Sequence, residues 1–421
     1  MKWQDKFDPK LMATVAEVDA QIAPRLAAID DQVLTNEAKV LDSFRAHEVA
    51  ESDLISSTGY GDSDVGRDKL EAIYADVLSG GAPYADALVR PQFVSGTHTI
   101  GVAMLGLVRP GDEILYITGA PYDTLQEVLG MAGNGIGSPK EYGIKADYVP
   151  LKADGSADLP AIQKRIRPET KVITIQRSRG YATRESFTVA KIAEMIKAVR
   201  AIKPDVWVFI DNAYGEFSEP IEPLQVGADL MAGSLIKNAG GGMAKSGGYI
   251  VGRKDLVERV SYRMTVPGIG GAEGATYGNL ADMYQGFFIA PQVTGGAIKG
   301  AIFEAALLAK LGLQVSPSWD APRTDLIQTV NFGNPKDMTA FAKAVQQNSP
   351  IDAFVTPIAE EMTGYEDKVI MAAGNFVEGS TIEYSADGPM RPPYTLYMQG
   401  GLTYAHAKLA TIGAAQATFF N

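Results

Sequence analysis

Apolar residues along the chain fall into three successive patterns, and each predicts a different kind of element. Between residues 10 and 50, Leu11, Val15, Val18, Ile22, Leu26 and Ile29 recur at three- and four-residue spacing, which predicts helix. From about residue 89 the apolar positions gather into short runs at 89–94, 113–117, 146–151, 171–176, 206–211, 229–235 and 248–252. Several are nearly uninterrupted, as in Val172-Ile173-Thr174-Ile175, and this suits strands covered on both faces. Helical periodicity returns between them at 122–131, 158–167 and 188–201. Strand and helix in alternation predict an α/β layer built on a largely parallel sheet.

The alternation stops after residue 253. Residues 265–274 are glycine-rich with one proline, which predicts a loop of tight turns. A long helix follows over about 278–312. The remainder mixes short strands with a helix near 336–347 and a last one near 403–417, and reads as a smaller α+β domain. The expected organisation is a helical arm over 1–55, a large α/β domain over 56–275, a connecting helix over 276–312 and a small C-terminal domain over 313–421.

Length supports two domains, since 421 residues exceed what one core holds, about 250–300 residues. Charge narrows the partners. The formal net charge is −12, and no basic tract stands out, so a nucleic-acid surface is not expected. No apolar stretch has the length of a membrane span, and the charged amino terminus lacks a signal-peptide core. A cytoplasmic location and no membrane partner are expected. The chain has no cysteine and three histidines, His47, His98 and His406. That excludes disulfides, thiolate metal sites and a cysteine nucleophile, and no metal site is expected.

Candidate chemistry collects where apolar runs end, the edge at which open α/β sheets bind ligands. Asp211 closes Val206–Ile210, and a carboxylate leaving a buried strand needs a cation or strong donors. Capping a turn is the alternative. Lys237 lies between Leu235-Ile236 and the glycines 240–242, in surroundings poor in charge, where burial favours a neutral, nucleophilic amine. A surface lysine is the alternative there, and Lys245 is its competitor, expected to be solvated. A lysine amine together with a carboxylate is what pyridoxal 5'-phosphate requires, one for a Schiff base and the other for the ring nitrogen.

Ser95-Gly96-Thr97 opens a helix after a strand, as an anion site would, and an ordinary cap is the competing reading. Ser234 stands three residues before Lys237 and can donate to the same anion. Tyr122 sits at another strand-to-helix junction, where a ring can stack on a planar cofactor or simply pack. Asn212 and Tyr214 flank Asp211, within reach of a phenolic oxygen. For an amino-acid carboxylate the candidate guanidiniums are Arg177, Arg179 and Arg391. Arg67 and Arg323 are expected in surface pairs. Gly133-Asn134-Gly135-Ile136-Gly137 invites a dinucleotide reading, but no strand precedes it in the required register.

Taken in order, Ser57–Asp62, Ser95–His98, Gly119–Leu125, Gln176–Tyr181, Asp211–Glu216, Ser234–Asn238 and Tyr384–Pro389 with Arg391 resemble the fold type I pyridoxal-phosphate enzymes of the cystathionine and methionine gamma-lyase lineage. The likeness is nearest to the aluminium-resistance, methionine gamma-lyase-like branch. It implies a seven-stranded, mostly parallel sheet in the large domain and a smaller α+β domain. It implies Lys237 as the Schiff-base lysine, Asp211 on the pyridine nitrogen, Gly96, Thr97 and Ser234 on the phosphate, and Tyr122 on the ring. Tyr60 matches a tyrosine that reaches the neighbouring subunit's site, so a homo-oligomer, dimer or tetramer, is implied, with Tyr60 or Tyr122 as proton donor. The lineage's better-known lyases carry an arginine two residues after that tyrosine; here Asp62 stands there. The implied activity is carbon–sulfur lysis of a sulfur amino acid by beta- or gamma-elimination. A transaminase or aldolase reaction on the same fold, or a non-catalytic cofactor-binding protein, are the alternatives.

Overall fold

The computed structural model describes residues 2–362 and 367–420. In chain order the helices are α1 (Pro9–Ala46), α2 (Val65–Ser79), α3 (Gly96–Leu107), α4 (Asp123–Val128), α5 (Leu159–Arg165), α6 (Val189–Arg200), α7 (Lys254–Met264), α8 (Leu280–Lys310), α9 (Pro335–Gln347) and α10 (Tyr404–Phe419). The strands are β1 (Ala85–Arg90), β2 (Glu113–Tyr116), β3 (Lys145–Tyr148), β4 (Thr170–Gln176), β5 (Trp207–Asp211), β6 (Leu230–Ser234), β7 (Gly248–Arg253), β8 (Gln314–Ser316), β9 (Gln328–Asn331), β10 (Val369–Ala373), β11 (Ser385–Pro389) and β12 (Thr395–Gln399). They pack as two compact units, residues 36–290 and residues 1–35 with 291–421. The division passes through α1 and through α8 at Pro291, whose ring deprives the helix of one N–H.

The larger unit is built on a seven-stranded sheet of order β1-β7-β6-β5-β4-β2-β3. Every pairing is parallel except the two that β7 makes. Period-two alternation sends Val208 and Ile210 into the core on one face, while Phe209 joins the opposite core with α3 and α7 residues such as Met104 and Val260. Burying each such side chain contributes about 1.5–3 kcal/mol, which is why the central strands read as apolar runs. Asp211 is two residues beyond Phe209 and so shares the α3 side of the sheet. Register then aligns the strand ends: Gln176 of β4 lies opposite Asp211 of β5, and Asp211 opposite Ala232 of β6. Three consecutive strands deliver polar residues to one edge.

Two strands start and end earlier than the sequence pattern predicts: the run at 146–151 is strand over Lys145–Tyr148, and the run at 89–94 over Ala85–Arg90. The apolar run at 89–94 is strand only to Arg90, because Pro91 has no N–H for the ladder. Phe93 is buried under the loop that follows, and Val94 is exposed. In the smaller unit a five-stranded antiparallel sheet of order β10-β11-β12-β9-β8 carries α9 and α10 on a core that includes Val330, Phe341, Ile370 and Leu396. No helix among the described residues is long and apolar enough to cross a membrane.

Candidate active site

Asp211 is almost wholly buried, and its carboxyl is pushed up to about 6, chiefly by desolvation. The Lys237 ammonium, the Ala213 N–H at 3.2 Å and the Arg184 guanidinium pull in the opposite direction without overcoming it. Burial therefore outweighs the positive charge that reaches this carboxyl. Lys237 is half-buried, and its Nζ stands 3.9 Å from the centroid of the Tyr214 ring. Tyr214 holds a left-handed backbone, φ +70°, a conformation that costs a non-glycine residue on the order of 1 kcal/mol or more. The turn after Asp211 thus spends backbone energy to present this ring to the lysine.

The glycines after Lys237 let backbones meet. A Cβ on Gly240 would lie 1.7 Å from the Leu235 carbonyl, and one on Gly241 would lie 2.2 Å from the Gly286 carbonyl of α8. Lys237 therefore sits on a turn pressed against its neighbours, and competing Lys245 is exposed and paired with Asp282 at 2.8 Å.

The candidate anion-binding residues lie nearby, for the Ser234 carbonyl accepts from the Lys237 N–H at 3.3 Å. α3 begins at Gly96, and Ser95 caps it by accepting from the His98 N–H at 3.0 Å, so the Ser95 hydroxyl takes the ordinary capping role. A Cβ on Gly96 would come 3.2 Å from Cβ of Ser234. Ser234 is buried, and its Oγ has no hydrogen-bond partner among the described residues. A buried hydroxyl without a partner costs about 1–3 kcal/mol, so its presence next to a helix amino terminus points to an external acceptor. The Thr97 and Tyr122 hydroxyls are 2.9 Å apart, which holds Tyr122, at the start of α4, beside these residues. Gln176 accepts from the Tyr122 N–H at 3.3 Å.

The arginines divide differently from the sequence expectation. Arg177 has no exposure, and its guanidinium donates to Asn212 at 2.8 Å, Glu219 at 3.0 Å, and Ser218 and Glu222 at 3.2 Å each. Its donors are taken up by four groups of its own chain, and on that ground its candidacy as a substrate ligand falls. Arg179 is likewise buried in the loop after β4. Arg391 is half exposed in the smaller unit, between β11 and β12, paired with Asp367 at 3.0 Å. Arg67 and Arg323 are both buried: Arg67 pairs with the exposed Asp68 at 2.8 Å and also donates to the carbonyls of Gly61, Ala272 and Gly274, and Arg323 donates to Gln328. Through Arg67 the loop bearing Tyr60 is fixed, and the Tyr60 carbonyl accepts from Gly274 N–H at 2.7 Å, yet its ring is 74% exposed.

Two residues escaped the sequence reading. Arg184 bonds the carbonyls of Gln176 and Ser178 at 2.8 and 2.7 Å and adds positive potential at Asp211. Glu216 is fully buried, accepts from Tyr249 OH at 2.6 Å, and is pushed up to about 8 by desolvation. Neither follows an apolar run directly, which is the signal that exposed Asp211.

A seven-stranded, mostly parallel sheet flanked by helices, joined in sequence to a small α+β unit, is the fold type I architecture of pyridoxal-phosphate enzymes. Within that class the chain belongs to the methionine gamma-lyase family, whose model matches residues 11–419. The uncharacterized protein YnbB of Bacillus subtilis is 54% identical over 405 residues, 96% of this chain and 95% of that protein. A solved Listeria monocytogenes protein, named provisionally as a cystathionine beta-lyase involved in aluminium resistance, is 54% identical with a TM-score of 0.94 over 97% of this chain and all of that one. A solved Clostridium novyi protein, named carbon–sulfur lyase involved in aluminium resistance, is 42% identical with a TM-score of 0.93, covering 97% of this chain and 96% of that one.

Proposed function

We propose that this chain is a pyridoxal-phosphate-dependent carbon–sulfur lyase that cleaves a sulfur amino acid by beta- or gamma-elimination. The observation that carries the reading is the buried Asp211 carboxyl within electrostatic reach of the Lys237 amine, with the unpartnered Ser234 hydroxyl beside the amino terminus of α3. These residues fit the cofactor. Lys237 would bind its carbonyl carbon, Asp211 its ring nitrogen, and Gly96, Thr97 and Ser234 its phosphate, with Tyr122 against the ring. When bound, the cofactor supplies an electron sink for charge developing at the substrate's α-carbon.

The remaining work falls to side chains. Asp211 would hold the ring nitrogen protonated, because a buried carboxylate needs a cation. The Lys237 amine would take the substrate's α-proton, and Tyr122 or Tyr60 would donate one to the departing sulfur. Tyr60 would reach the site of a second copy of the chain, for its loop is anchored while its ring is left in solvent. A homo-oligomer is therefore part of this proposal. Arg391 and Arg179 remain the candidates for the substrate carboxylate.

The first test is a visible absorbance spectrum on adding the cofactor to purified protein, with Lys237→Ala as control. A lysine-dependent band is expected, and its absence in the unaltered chain would overturn the reading. Product analysis with cystathionine then separates the eliminations: homocysteine, pyruvate and ammonia mark cleavage at the β-carbon, whereas cysteine, 2-oxobutanoate and ammonia mark the γ-carbon. Accumulation of the pyridoxamine form with neither thiol would indicate transamination instead.

A further inference from the structure

Asn238 follows the lysine directly and is wholly buried. Its Nδ2 donates to the carbonyls of Tyr214 and Glu216, both at 3.0 Å. Those carbonyls belong to the turn that leaves Asp211, including the left-handed residue whose ring meets the Lys237 amine. One carboxamide therefore spans the two segments on which the site depends. We propose that Asn238 is a positioning residue that ties the lysine's turn to the aspartate's turn and so sets Lys237 Nζ against Tyr214 and Asp211.

The surroundings are built to hold that carboxamide still. Behind it the Glu216 carboxyl accepts from Tyr249 OH, and a Cβ on Gly233 would fall 2.3 Å from the same carboxyl oxygen. Glu216 Oε2 and Asn238 Oδ1 are both buried and lack partners among the described residues. Strain in the Tyr214 turn supplies the reason for a lock. A backbone held off its preferred basin relaxes when its carbonyl bonds are removed, and the ring would then leave the amine.

The proposal rests on the reading of Lys237 as the reactive amine, and its test can fail separately. Apoprotein is labelled with a limiting amine-acylating reagent, and modification of Lys237 is measured by peptide mass spectrometry against Lys145, which is 64% exposed and lies on β3. Asn238→Asp removes both donors while keeping the shape, and Asn238→Ser shortens the side chain. In variants that melt cooperatively, the Lys237-to-Lys145 ratio is expected to rise about threefold or more, as local opening without global unfolding requires. Formation of the visible cofactor band should slow about tenfold or more, since small misplacements of reacting groups are costly. An unchanged ratio in cooperatively melting variants overturns the proposal. So does non-cooperative melting of both, since Asn238 would then hold the whole unit and not the lysine. If the unaltered chain forms no cofactor band, the lyase reading fails, while the labelling ratio still decides the role of Asn238.

Discussion

Two polar clusters occupy the same edge of the large sheet, and they differ in whether their atoms are already spoken for. At the end of β4 the Arg177 guanidinium meets two carboxylates, a carboxamide and a hydroxyl, all from its own chain. A Cβ on Gly215 would lie 2.6 Å from Arg177 Cδ, so even the backbone makes room for it. Around β6 and the start of α3, Ser234 keeps a hydroxyl unpartnered among the described residues, and burial raises the Asp211 carboxyl. Internal saturation marks the first cluster as part of the fold. The unpartnered hydroxyl makes the second the candidate ligand site, and polarity or position on the sheet does not distinguish them.

The sharpest way to test that contrast is to remove one residue from each. Under the proposed function Lys237→Ala should reduce turnover by on the order of 10⁴-fold or more, because the amine would serve as both covalent anchor and base, with little change in the melting temperature. Arg177→Met should do the reverse. Stranding Glu219 and Glu222 costs about 3–5 kcal/mol in a buried network, read as a lower denaturant midpoint, while cofactor affinity per folded molecule stays within about threefold. If Arg177→Met instead kept its stability and raised the KM for substrate, the guanidinium would be a ligand after all and the contrast would collapse.

Glu216 stands between the two clusters, with one oxygen held by Tyr249 and the other unpartnered. Its carboxyl rises from about 4.5 in the unfolded chain to about 8 when folded, so folding favours the protonated form. The stability this contributes is complete below pH 4.5 and is lost as pH rises through 8. Glu216→Gln keeps a neutral group of the same shape and should abolish that slope. Between pH 5 and pH 8 the unfolding free energy of the unaltered apoprotein should therefore fall by a few kcal/mol, to order of magnitude, relative to the variant. Asp211, Glu71 and Glu222 are also raised by burial, but they are common to both proteins and cancel. Parallel pH profiles would mean that Glu216 is ionised in the fold.

How far the sequence reached follows the same division. Buried strands were readable because a strand covered on both faces must be apolar throughout, and the run displaced furthest, 89–94, contained Pro91. Asp211 and Lys237 stood out because each interrupts or ends such a run. The fate of Arg177 was not readable, because its neutralising carboxylates lie 42 and 45 residues away in the chain and only the fold brings them together. Glu216 was hidden for the same reason, its partner Tyr249 being 33 residues on. Arg67 looked like a surface residue until the loop carbonyls at 61, 272 and 274 converged on it. Local pattern reveals which residues are unusual, whereas saturation by distant partners decides what they are for.

Ser234 offers the smallest effect and the cleanest discrimination. A hydroxyl used by the fold costs stability when removed, but this one has no partner to lose. Ser234→Ala should leave apoprotein stability unchanged or slightly raised, because an unpaired buried polar atom is itself unfavourable. Cofactor binding should weaken, since a hydrogen bond to a charged phosphate contributes about 1.5–3 kcal/mol, or on the order of tenfold in Kd and upward. Thr97→Val is the matched control. Its hydroxyl already bonds Tyr122 at 2.9 Å, so that change should lower stability as well as affinity. Equal stability losses in the two variants would show that Ser234 belongs with Arg177 among the residues that hold the fold, and the candidate anion site would lose its strongest mark.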